Sequence, residues 1–395
     1  MSSTKNRILL DWECGTNSGW GVLGLNIFAQ WCEDPDLIPV MGQVVRGEHV
    51  AGIDPIRLRR MLPAMHRSNQ QLKQIRESNP SDANPDLVSI TALGNQFVPA
   101  SITPAKLAIG RTIFEDTNFA SDTHKLKSFD LLLAGSRWNA DLIHAATGRM
   151  PHVIPEGIDP DVFFPRHEPR TTPDENFYVF SGGKVEHRKG QDLVLKVFKK
   201  FSEKYPRAVL VVCWQTLRPE MSLGMQGVLD YPLQIGANGM LDINRWALEN
   251  GLAPNRVLDC GMVKHADMPN ILRQMDVSIQ LSRAEACTNL PVKESMACGV
   301  PVIAGFNTGM KDLLTDENSL VLRHQRAVHQ YGTGTHGWGE SDLDEAFVAL
   351  EKAYLDREWL RSLGLRASAW IRQEGRTWPE HARLLKAWIQ DSSGE

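Results

Sequence analysis

Short apolar runs alternate with helical patterns along the chain, and this alternation limits the folds available to it. Runs such as "RILLDW" and "LLLAGS" in the first half, and "FYVFSGG" and "VSIQLS" in the second, have the length of strands. Short continuous apolar runs are typical of parallel strands that are buried on both faces. Between them lie amphipathic segments: in Gln191–Tyr205, apolar residues occupy one face and lysines the other. The pattern therefore predicts a doubly wound α/β fold.

The length of 395 residues favours two domains over one, and the sequence contains a candidate boundary. The segment Phe163–Phe177 has three prolines, mixed charges and no periodicity, which is typical of a linker. We therefore predict one Rossmann-like domain over residues 1–168 and a second over residues 169–375. We expect the C-terminal helix 376–395 to cross back and join the first domain. Two such domains would place ligands at the carboxyl ends of their strands, facing a central cleft.

Composition argues against several classes of protein. A net charge of −4 and a pI near 6.3 do not favour nucleic-acid binding. No apolar run reaches the roughly 18 residues that span a bilayer, and the N-terminus enters a strand-like run directly, so we expect no signal peptide. The six cysteines lie far apart and form no C-x-x-C pair, which favours reduced thiols in a cytoplasmic protein.

Two glutamates, Glu285 and Glu294, flank a short polar turn between an apolar strand and a helix in "SRAEACTNLPVKESMACGVPVIA". Thr288 and Asn289 are suitable N-caps and Pro291 suits the first turn, so the helix N-terminus presents free backbone N–H groups. Such a terminus binds anions and is well matched to phosphate. A carboxylate can accept two hydrogen bonds from a vicinal diol. The combination predicts a ligand with a central diphosphate and sugars on both sides, as in a nucleotide sugar.

A second segment, "FSGGKVEHRKGQDL", supplies cations that a diphosphate needs. It combines a strand, a Gly-Gly turn and three basic residues, Lys184, Arg188 and Lys189, before a helix that begins near Gln191 or Asp192. The Walker spacing is absent, so a P-loop is not predicted. Cations at the carboxyl end of a strand form either a phosphate clamp or a solvated basic turn, and the segment alone leaves both open.

These segments resemble a known enzyme family. "GGKVEHRKGQDLVLKVF" and the glutamate segment are similar to the donor domain of retaining glycosyltransferases of family 4, which are two-domain enzymes of the GT-B fold. "FDLLLAGSRWNADLIHAATG" and "VIPEGIDPDVFFP" resemble the end of that family's first domain, and "GWGESDLDEAF" with the C-terminal helices also fits. The likeness covers most of the chain from about residue 105 onward. It implies a GT-B enzyme with a nucleotide-sugar donor.

The resemblance implies roles for the matching positions. As catalytic residues, Lys184 and Lys189 match the basic pair on the donor diphosphate, and Glu285 matches the glutamate that contacts the transferred sugar. Glu294 matches the glutamate that holds the ribose hydroxyls of the nucleotide. The backbone at Asn289 and Leu290 is implied to meet the phosphate, and Met262 and Val263 to border the nucleobase. The other donor-binding positions in this half are Gly183, Arg188 and Thr288.

The spacing of the two glutamates departs from the family pattern. Eight residues lie between Glu285 and Glu294, one more than the pattern has. Either the turn holds one extra residue, or Glu285 is displaced and Cys287 or Thr288 meets the sugar. A third interpretation makes Glu285 a solvated loop acid. Glu294 is the safer assignment because it lies on the helix itself.

The first half contains a glycine-rich stretch, "DWECGTNSGWGVLG", with the spacing Gly19-x-Gly21-x-x-Gly24 after a strand. As a dinucleotide fingerprint it is incomplete, because the next strand, "LIPVMGQVV", does not end in an acidic residue. The resemblance instead implies a glycine-rich loop that faces the donor phosphates, and the alternative is a packing loop. The donor-binding candidates here are Asn17, Ser18, Gly19 and Trp20.

The acceptor side of the site is less defined. Many relatives have a first-domain histidine near the reacting sugar, but no histidine here lies in a matching motif. Glu115 and Asp116 follow a predicted strand, where they either border the acceptor or are a pair of helix-capping or surface acids, and the second interpretation is preferred. The basic amphipathic segment Asp54–Arg76 either lies on an anionic membrane surface or packs its apolar side into the core, and Pro63 favours the core because it interrupts the apolar side.

A metal site is not predicted. His324, His329 and His336 cluster in a glycine-rich loop, but their spacing is too loose for a set of converging ligands. The resemblance implies that cationic side chains and a helix end carry the diphosphate charge, so we expect neither a metal nor an organic cofactor.

The sequence therefore predicts a retaining hexosyltransferase that moves a sugar from a nucleotide-diphospho sugar, for example a UDP-sugar, to an acceptor hydroxyl. The acceptor is a carbohydrate, a glycolipid or a protein, and polysaccharide biosynthesis is the expected context. Two other classes remain open. One is another GT-B enzyme, such as a sugar-nucleotide epimerase or a phosphorylase; the other is a nucleotide-sugar-binding protein that has lost turnover.

Overall fold

The computed structural model describes residues 6–16, 18–77, 84–99, 101–166, 175–225, 227–329 and 334–393. The chain divides into two compact units. The first comprises Met1–Gly157, Gln330–Thr335 and Gly375–Glu395, and the second Ile158–His329 and His336–Glu374. Each unit contains a six-stranded sheet flanked by helices, which confirms the predicted α/β class with two Rossmann-like sheets.

The first unit has the strand order β2-β1-β3-β4-β5-β6, and every pairing in it is parallel. Its strands are β1 Asn6–Asp11, β2 Leu37–Met41, β3 Asn84–Leu93, β4 Ala105–Thr112, β5 Leu131–Ala134 and β6 His152–Val153. Its helices are α1 Gly19–Trp31, α2 Pro55–Glu77, α3 Arg137–Thr147 and α10 Trp378–Ser393. The strands coincide with the apolar runs of the first half because both faces of the sheet are covered.

The second unit has the strand order β12-β11-β10-β7-β8-β9, again all parallel. Its strands are β7 Phe177–Gly182, β8 Ala208–Cys213, β9 Val257–Asp259, β10 Val277–Gln280, β11 Val302–Gly305 and β12 Leu320–Leu322. Its helices are α4 Gln191–Lys204, α5 Ile243–Glu249, α6 Met268–Leu272, α7 Leu290–Ala297, α8 Leu343–Leu355 and α9 Arg357–Gln373. A small antiparallel hairpin pairs β13 Gln325–Ala327 with β14 Gly339–Ser341.

The C-terminal helix α10 packs within the first unit. Trp378, Leu385 and Ile389 are buried in the same apolar cluster as Phe28 of α1. The indole Nε1 of Trp31 donates a hydrogen bond to a backbone carbonyl of α10, at 3.2 Å. Burial of these large apolar side chains, at about 25 cal/mol per Å² of apolar surface, provides the stabilisation that holds the helix to this sheet.

The proline-containing segment that we interpret as a linker only partly fits the structure. The two compact units divide at Gly157, ahead of that segment. Phe163 is buried among apolar residues of the second unit, so the start of the segment is part of its core. Residues 167–174 lie outside the described part of the chain.

The basic helix α2 has its apolar side in the first unit. Met61, Met65, Leu72 and Ile75 are buried, and Pro63 lies inside the helix. This matches the core interpretation of the amphipathic pattern. Among the described helices, none combines the length and the apolar character that crossing a membrane requires. All six cysteines are described, and each is a free thiol.

Two neighbouring strands bring the basic segment and the glutamate turn together. β7 and β10 are adjacent, with Val277 paired to Val179 in a parallel register. The basic segment leaves the carboxyl end of β7, and the glutamate turn leaves the carboxyl end of β10. Because carboxyl ends of parallel strands meet at one edge of a sheet, the two segments lie side by side.

Candidate active site

The glutamate turn ends in a capped helix at the carboxyl edge of the second sheet. Asn289 is the N-cap of α7, and its side chain accepts a hydrogen bond from the backbone N–H of Val292 at 3.2 Å. Pro291 lies in the first turn, and Gly299, with φ of +74°, follows the end of the helix. The predicted cap and the position of the proline are therefore confirmed. The N-terminus of α7 provides backbone N–H groups suited to an anion.

The Gly-Gly turn lies against this helix terminus. Gly182 is the last residue of β7, and Gly183 adopts a φ of +97°, which favours glycine. A Cβ on Gly182 would meet Pro291 at 3.3 Å, so the turn and the first residues of α7 are packed closely. The absence of side chains leaves the backbone of the turn open to a ligand beside α7.

Glu285 lies in a cluster with two of the predicted cations. Lys189 Nζ donates to both carboxylate oxygens of Glu285, at 2.8 and 2.9 Å, and Arg188 Nη1 donates to one of them at 3.0 Å. The Asn289 side chain adds a third donor at 2.7 Å. Burial opposes ionisation of Glu285, but the charges of Lys189 and Arg188 outweigh it and lower its pKa to about 2. Glu285 is thus an ionised, buried carboxylate and not a solvated loop acid.

The backbone of the turn is fixed from the segment after β11. The backbone N–H of Glu285 donates to Thr308 Oγ1 at 2.8 Å, and Gly309 N–H donates to the Glu285 carbonyl at 3.0 Å. A Cβ on Gly309 would approach the Cys287 carbonyl oxygen to 2.0 Å, so only glycine fits there. The additional residue between the two glutamates is therefore accommodated while Glu285 stays inside the cluster.

Lys184 lies outside the Lys189–Glu285 cluster. It forms an ion pair with Glu186, and its side chain is 49% exposed. Arg188 bridges the two groups, because its other nitrogen pairs with Glu186 at 3.1 Å. The structure therefore brings Arg188 and Lys189 together on one carboxylate and leaves Lys184 on the solvent side of the same segment.

Glu294 forms a separate pair that the sequence did not predict. The carboxylate is 5% exposed, and its Oε1 lies 2.8 Å from Nε2 of His265. His265 begins a single helical turn, His265–Asp267, shortly after β9. The sequence analysis missed this pair because it assigned the segment "CGMVKH" only to the border of the nucleobase, through Met262 and Val263.

Arg283 is the second residue that sequence reasoning missed. Its guanidinium is 2% exposed and forms a bidentate pair with Asp192 of α4, at 2.9 and 2.6 Å. It also donates to the His187 carbonyl at 2.6 Å and to Glu340 at 2.8 Å. These bonds tie the basic segment to the turn that carries Glu285. The sequence signal for Arg283 is its partner, Asp192, an acidic residue in the first turn of α4 ("GQDL").

The remaining donor-binding candidates line the same edge. Met262 is 49% exposed and Val263 is half-buried, both in the segment that follows β9. Thr288 is buried, and its Oγ1 has no hydrogen-bond partner within the described residues. Leu290, the first residue of α7, is half-buried.

In the first unit, the glycine-rich stretch has two different functions. Ser18 caps α1, and a Cβ on Gly19 would meet nothing within 4 Å. A Cβ on Gly24 would come within 2.4 Å of Cys14, so this glycine is required by packing. Trp20 packs edge-to-face on Trp12, with ring centroids 5.8 Å apart. Asn17 lies outside the described residues.

The acidic residues of the first unit are tied into local structure. Asp116 accepts hydrogen bonds from the Gln96 side chain at 2.6 Å and from the backbone of Asn118 at 2.8 Å. Asp116 is therefore a buried acceptor of local hydrogen bonds, and it is neither a surface acid nor the cap of the helical segment that begins at Ala120. Asp11, which ends β1, accepts hydrogen bonds from Ser101 and Thr103 at 2.7 and 2.9 Å. Burial raises the pKa of Asp11 in spite of these bonds.

The described residues contain no cluster of metal-ligating groups. No three His, Cys, Asp or Glu side chains of that part of the chain lie close enough to hold an ion. Of the three clustered histidines, His324 lies 3.6 Å from Glu345.

Comparison with solved structures defines the class of the fold. Sucrose-phosphate synthase from Thermosynechococcus elongatus matches with a TM-score of 0.67 at 14% identity, over 99% of this chain and 100% of that chain. HepE from Anabaena, solved with UDP and glucose, matches with a TM-score of 0.62 at 13% identity, over 98% and 100%. A glycosyltransferase from Rickettsia africae matches with a TM-score of 0.66 at 12% identity, over 98% of both chains. The protein therefore has the GT-B fold, as predicted.

The sequence of the second unit carries a more specific signal. Residues 165–331 match the family described as Glycosyl transferases group 1. A comparison with curated proteins finds no match. The matched residues include both the basic segment and the glutamate segment, so the group 1 pattern coincides with the candidate site.

Proposed function

We propose that the chain is a retaining glycosyltransferase of family 4 that moves a hexose from a nucleotide-diphospho sugar to an acceptor hydroxyl. The proposal rests on one observation: Arg188, Lys189 and Glu285 converge beside the N-terminus of α7. Cations and a helix terminus suit a diphosphate, and carboxylates suit hydroxyl groups. The group 1 match supports the proposal, and so do the complexes of HepE with UDP and with UDP-glucose.

The donor would bind along the carboxyl edge of the second sheet. The backbone at Gly183 and Leu290, with Lys189 and Arg188, would hold the diphosphate. Glu294 would accept hydrogen bonds from the ribose hydroxyls. The base would lie beside Met262 and Val263. In this arrangement the diphosphate would meet cations and backbone N–H groups, and the ribose hydroxyls would meet a carboxylate acceptor.

Glu285 and the diphosphate would compete for the same cations. Lys189 and Arg188 bond to Glu285 in the structure. An incoming diphosphate draws these cations to itself, and Glu285 then has oxygens available for hydroxyls of the transferred sugar. A buried carboxylate that loses its cations and keeps only the Asn289 amide as a donor is unfavourable, so a sugar with suitably placed hydroxyls favours this exchange.

The chemical step then follows from charge development. The bond between the anomeric carbon and the diphosphate oxygen breaks, and the acceptor oxygen bonds to that carbon on the same face. The acceptor proton passes to an oxygen of the leaving diphosphate. Negative charge grows on the diphosphate, where Lys189, Arg188 and the helix N-terminus stabilise it without a metal.

Donor binding and turnover test this function separately. Thermal unfolding is measured with UDP, GDP and ADP, because a ligand of the native state raises its apparent stability. We expect one nucleoside diphosphate to raise the Tm. The matching nucleotide sugar is then incubated with candidate acceptors, and the anomeric configuration of the product is read by proton NMR.

The outcomes distinguish the alternatives. Transfer with the anomeric configuration of the donor supports the proposal, whereas inversion contradicts retention. Rearranged donor without transfer indicates an epimerase. Binding without any consumption of donor, including slow hydrolysis, indicates a nucleotide-sugar-binding protein. No shift with any of the nucleotides contradicts the proposed donor site.

A further inference from the structure

His265 and Glu294 form a pair at the part of the site proposed for the ribose. His265 Nε2 lies 2.8 Å from Glu294 Oε1. A carboxylate only accepts hydrogen bonds, so Nε2 carries the proton and donates it. Within the described residues, Oε2 of Glu294 has no hydrogen-bond partner. One oxygen is therefore anchored and the other remains for a ligand.

The fold holds His265 in place from two directions. Its backbone carbonyl accepts from Met268 N–H, which closes the turn that leads into α6. Its ring packs on Phe163, with centroids 5.2 Å apart and planes inclined at 48°. Phe163 is 1% exposed, so the ring of His265 rests on a rigid surface. The imidazole is a fixed donor on which the Glu294 side chain is oriented.

A glutamate on a helix rotates about three side-chain bonds, and its carboxylate plane is otherwise free to turn. A hydrogen bond to one oxygen removes most of this freedom and fixes the directions of the remaining lone pairs. Recognition of a vicinal diol requires such fixed directions, because two hydroxyls must be met at once. A site built to bond a hydroxyl rejects an analogue that lacks it, since its own polar group is left unpaired.

We infer that His265 is a positioning residue that orients Glu294 toward the ribose hydroxyls and makes the site select ribonucleotides over 2′-deoxyribonucleotides. The inference rests on the proposed function, because it takes Glu294 as the ribose-binding carboxylate. It adds His265, which lies in the turn before α6 and outside α7, and it assigns this residue an effect on specificity and not only on affinity.

The test compares dissociation constants for UDP and 2′-deoxy-UDP by calorimetry on the full chain. If GDP or ADP is the nucleotide that raises the Tm, its deoxy form replaces the uridine pair. We expect the parent to prefer the ribonucleotide at least tenfold. His265→Phe keeps an aromatic ring on Phe163 but removes the donor, and we expect its preference to fall to threefold or less. His265→Gln retains an N–H donor and should recover part of the preference.

Lys264→Ala is the matched control, because Lys264 is exposed in the same turn and is not part of the pair. It should keep the parental ratio. If His265→Phe is folded and keeps that ratio, His265 does not orient Glu294. If His265→Phe does not fold, His265→Gln decides the question. A preference of His265→Gln for the ribonucleotide that is smaller than that of Lys264→Ala supports the inference, and a preference equal to that of Lys264→Ala overturns it.

The failure of the inference differs from the failure of the proposed function. A parent that binds ribo- and deoxyribonucleotides equally overturns the inference and leaves the donor site intact. A parent that binds no nucleoside diphosphate overturns both. A merely structural role for His265 would lower the Tm of His265→Phe and leave the ratio unchanged, so the ratio is the decisive measurement.

Discussion

Glu285→Gln should lower the stability of the protein and raise its affinity for a nucleoside diphosphate. The substitution keeps the shape of the side chain but removes the charge that Lys189 and Arg188 share. Breaking a buried pair costs about 3–5 kcal/mol, and the 13% and 15% exposure of the two cations reduces this to about 2–3 kcal/mol. At roughly 2–4 °C per kcal/mol for a unit of this size, the Tm should fall by roughly 5–10 °C.

The effect on affinity has the opposite sign. A carboxylate about 6 Å from a bound phosphate, at an effective dielectric constant of about 20, repels it by roughly 2–3 kcal/mol. Removing that charge also frees both cations, so UDP should bind roughly tenfold more tightly or better. Sugar transfer should nevertheless fall, because the carboxylate proposed to meet the transferred sugar is lost.

Three measurements on Glu285→Gln test this prediction: thermal unfolding, calorimetric titration with UDP, and the rate of sugar transfer. Glu186→Gln is the matched control, since Glu186 pairs with Arg188 and Lys184 but lies nearer solvent, at 20% exposure. Its changes in Tm and affinity should be smaller. A Glu285→Gln variant with the parental Tm and the parental UDP affinity would refute the idea that Glu285 neutralises the cation pair.

Three further perturbations follow from the site. Lys189→Ala should lose a charged contact worth about 1.5–3 kcal/mol, a ten- to hundredfold loss in turnover, while Lys200→Ala, on the exposed side of α4, should be near normal in the same assay. The pKa of Glu285 in the folded protein, about 2, lies below its ordinary value of 4.5, so its ionisation contributes about 3 kcal/mol to the free energy of unfolding. This contribution is complete above pH 4.5 and is lost as the pH falls from 4.5 through 2. Glu285→Gln should therefore flatten the dependence of stability on pH in that window of an acid titration. Gly309→Ala places a Cβ within 2.0 Å of the Cys287 carbonyl, so it should lower the Tm and UDP binding together; a parental Tm would contradict the packing.

The features that the sequence predicted well depend on neighbouring residues. The start of α4 at Gln191 and the N-cap at Asn289 follow from helix-end chemistry within a few positions. The parallel strands follow from runs of apolar residues that have no polar face. The class of the fold is therefore accessible from the chain alone, because these signals repeat in both units.

The pairings inside the site are not accessible in that way. Glu285 and Lys189 are 96 residues apart, and the sequence presents them as a sugar ligand and a phosphate ligand with separate tasks. Their contact depends on β7 and β10 being neighbours. His265 lies in the turn after β9 and Glu294 lies on α7, so their contact also depends on the tertiary fold. Arg283 looks like any polar loop residue until its burial against Asp192 is known.

These pairings have a common consequence for what the site selects. In the structure, Glu285 is neutralised by cations, and Glu294 is anchored by His265. A bare anion would have to draw Lys189 and Arg188 away from Glu285 and leave this buried carboxylate with the Asn289 amide as its donor, which is costly. A bare sugar would meet Glu285 while its oxygens are still bonded to Lys189 and Arg188. A ligand that carries both a diphosphate and hydroxyl groups replaces every bond that it breaks, so the arrangement favours an intact nucleotide sugar over either of its parts.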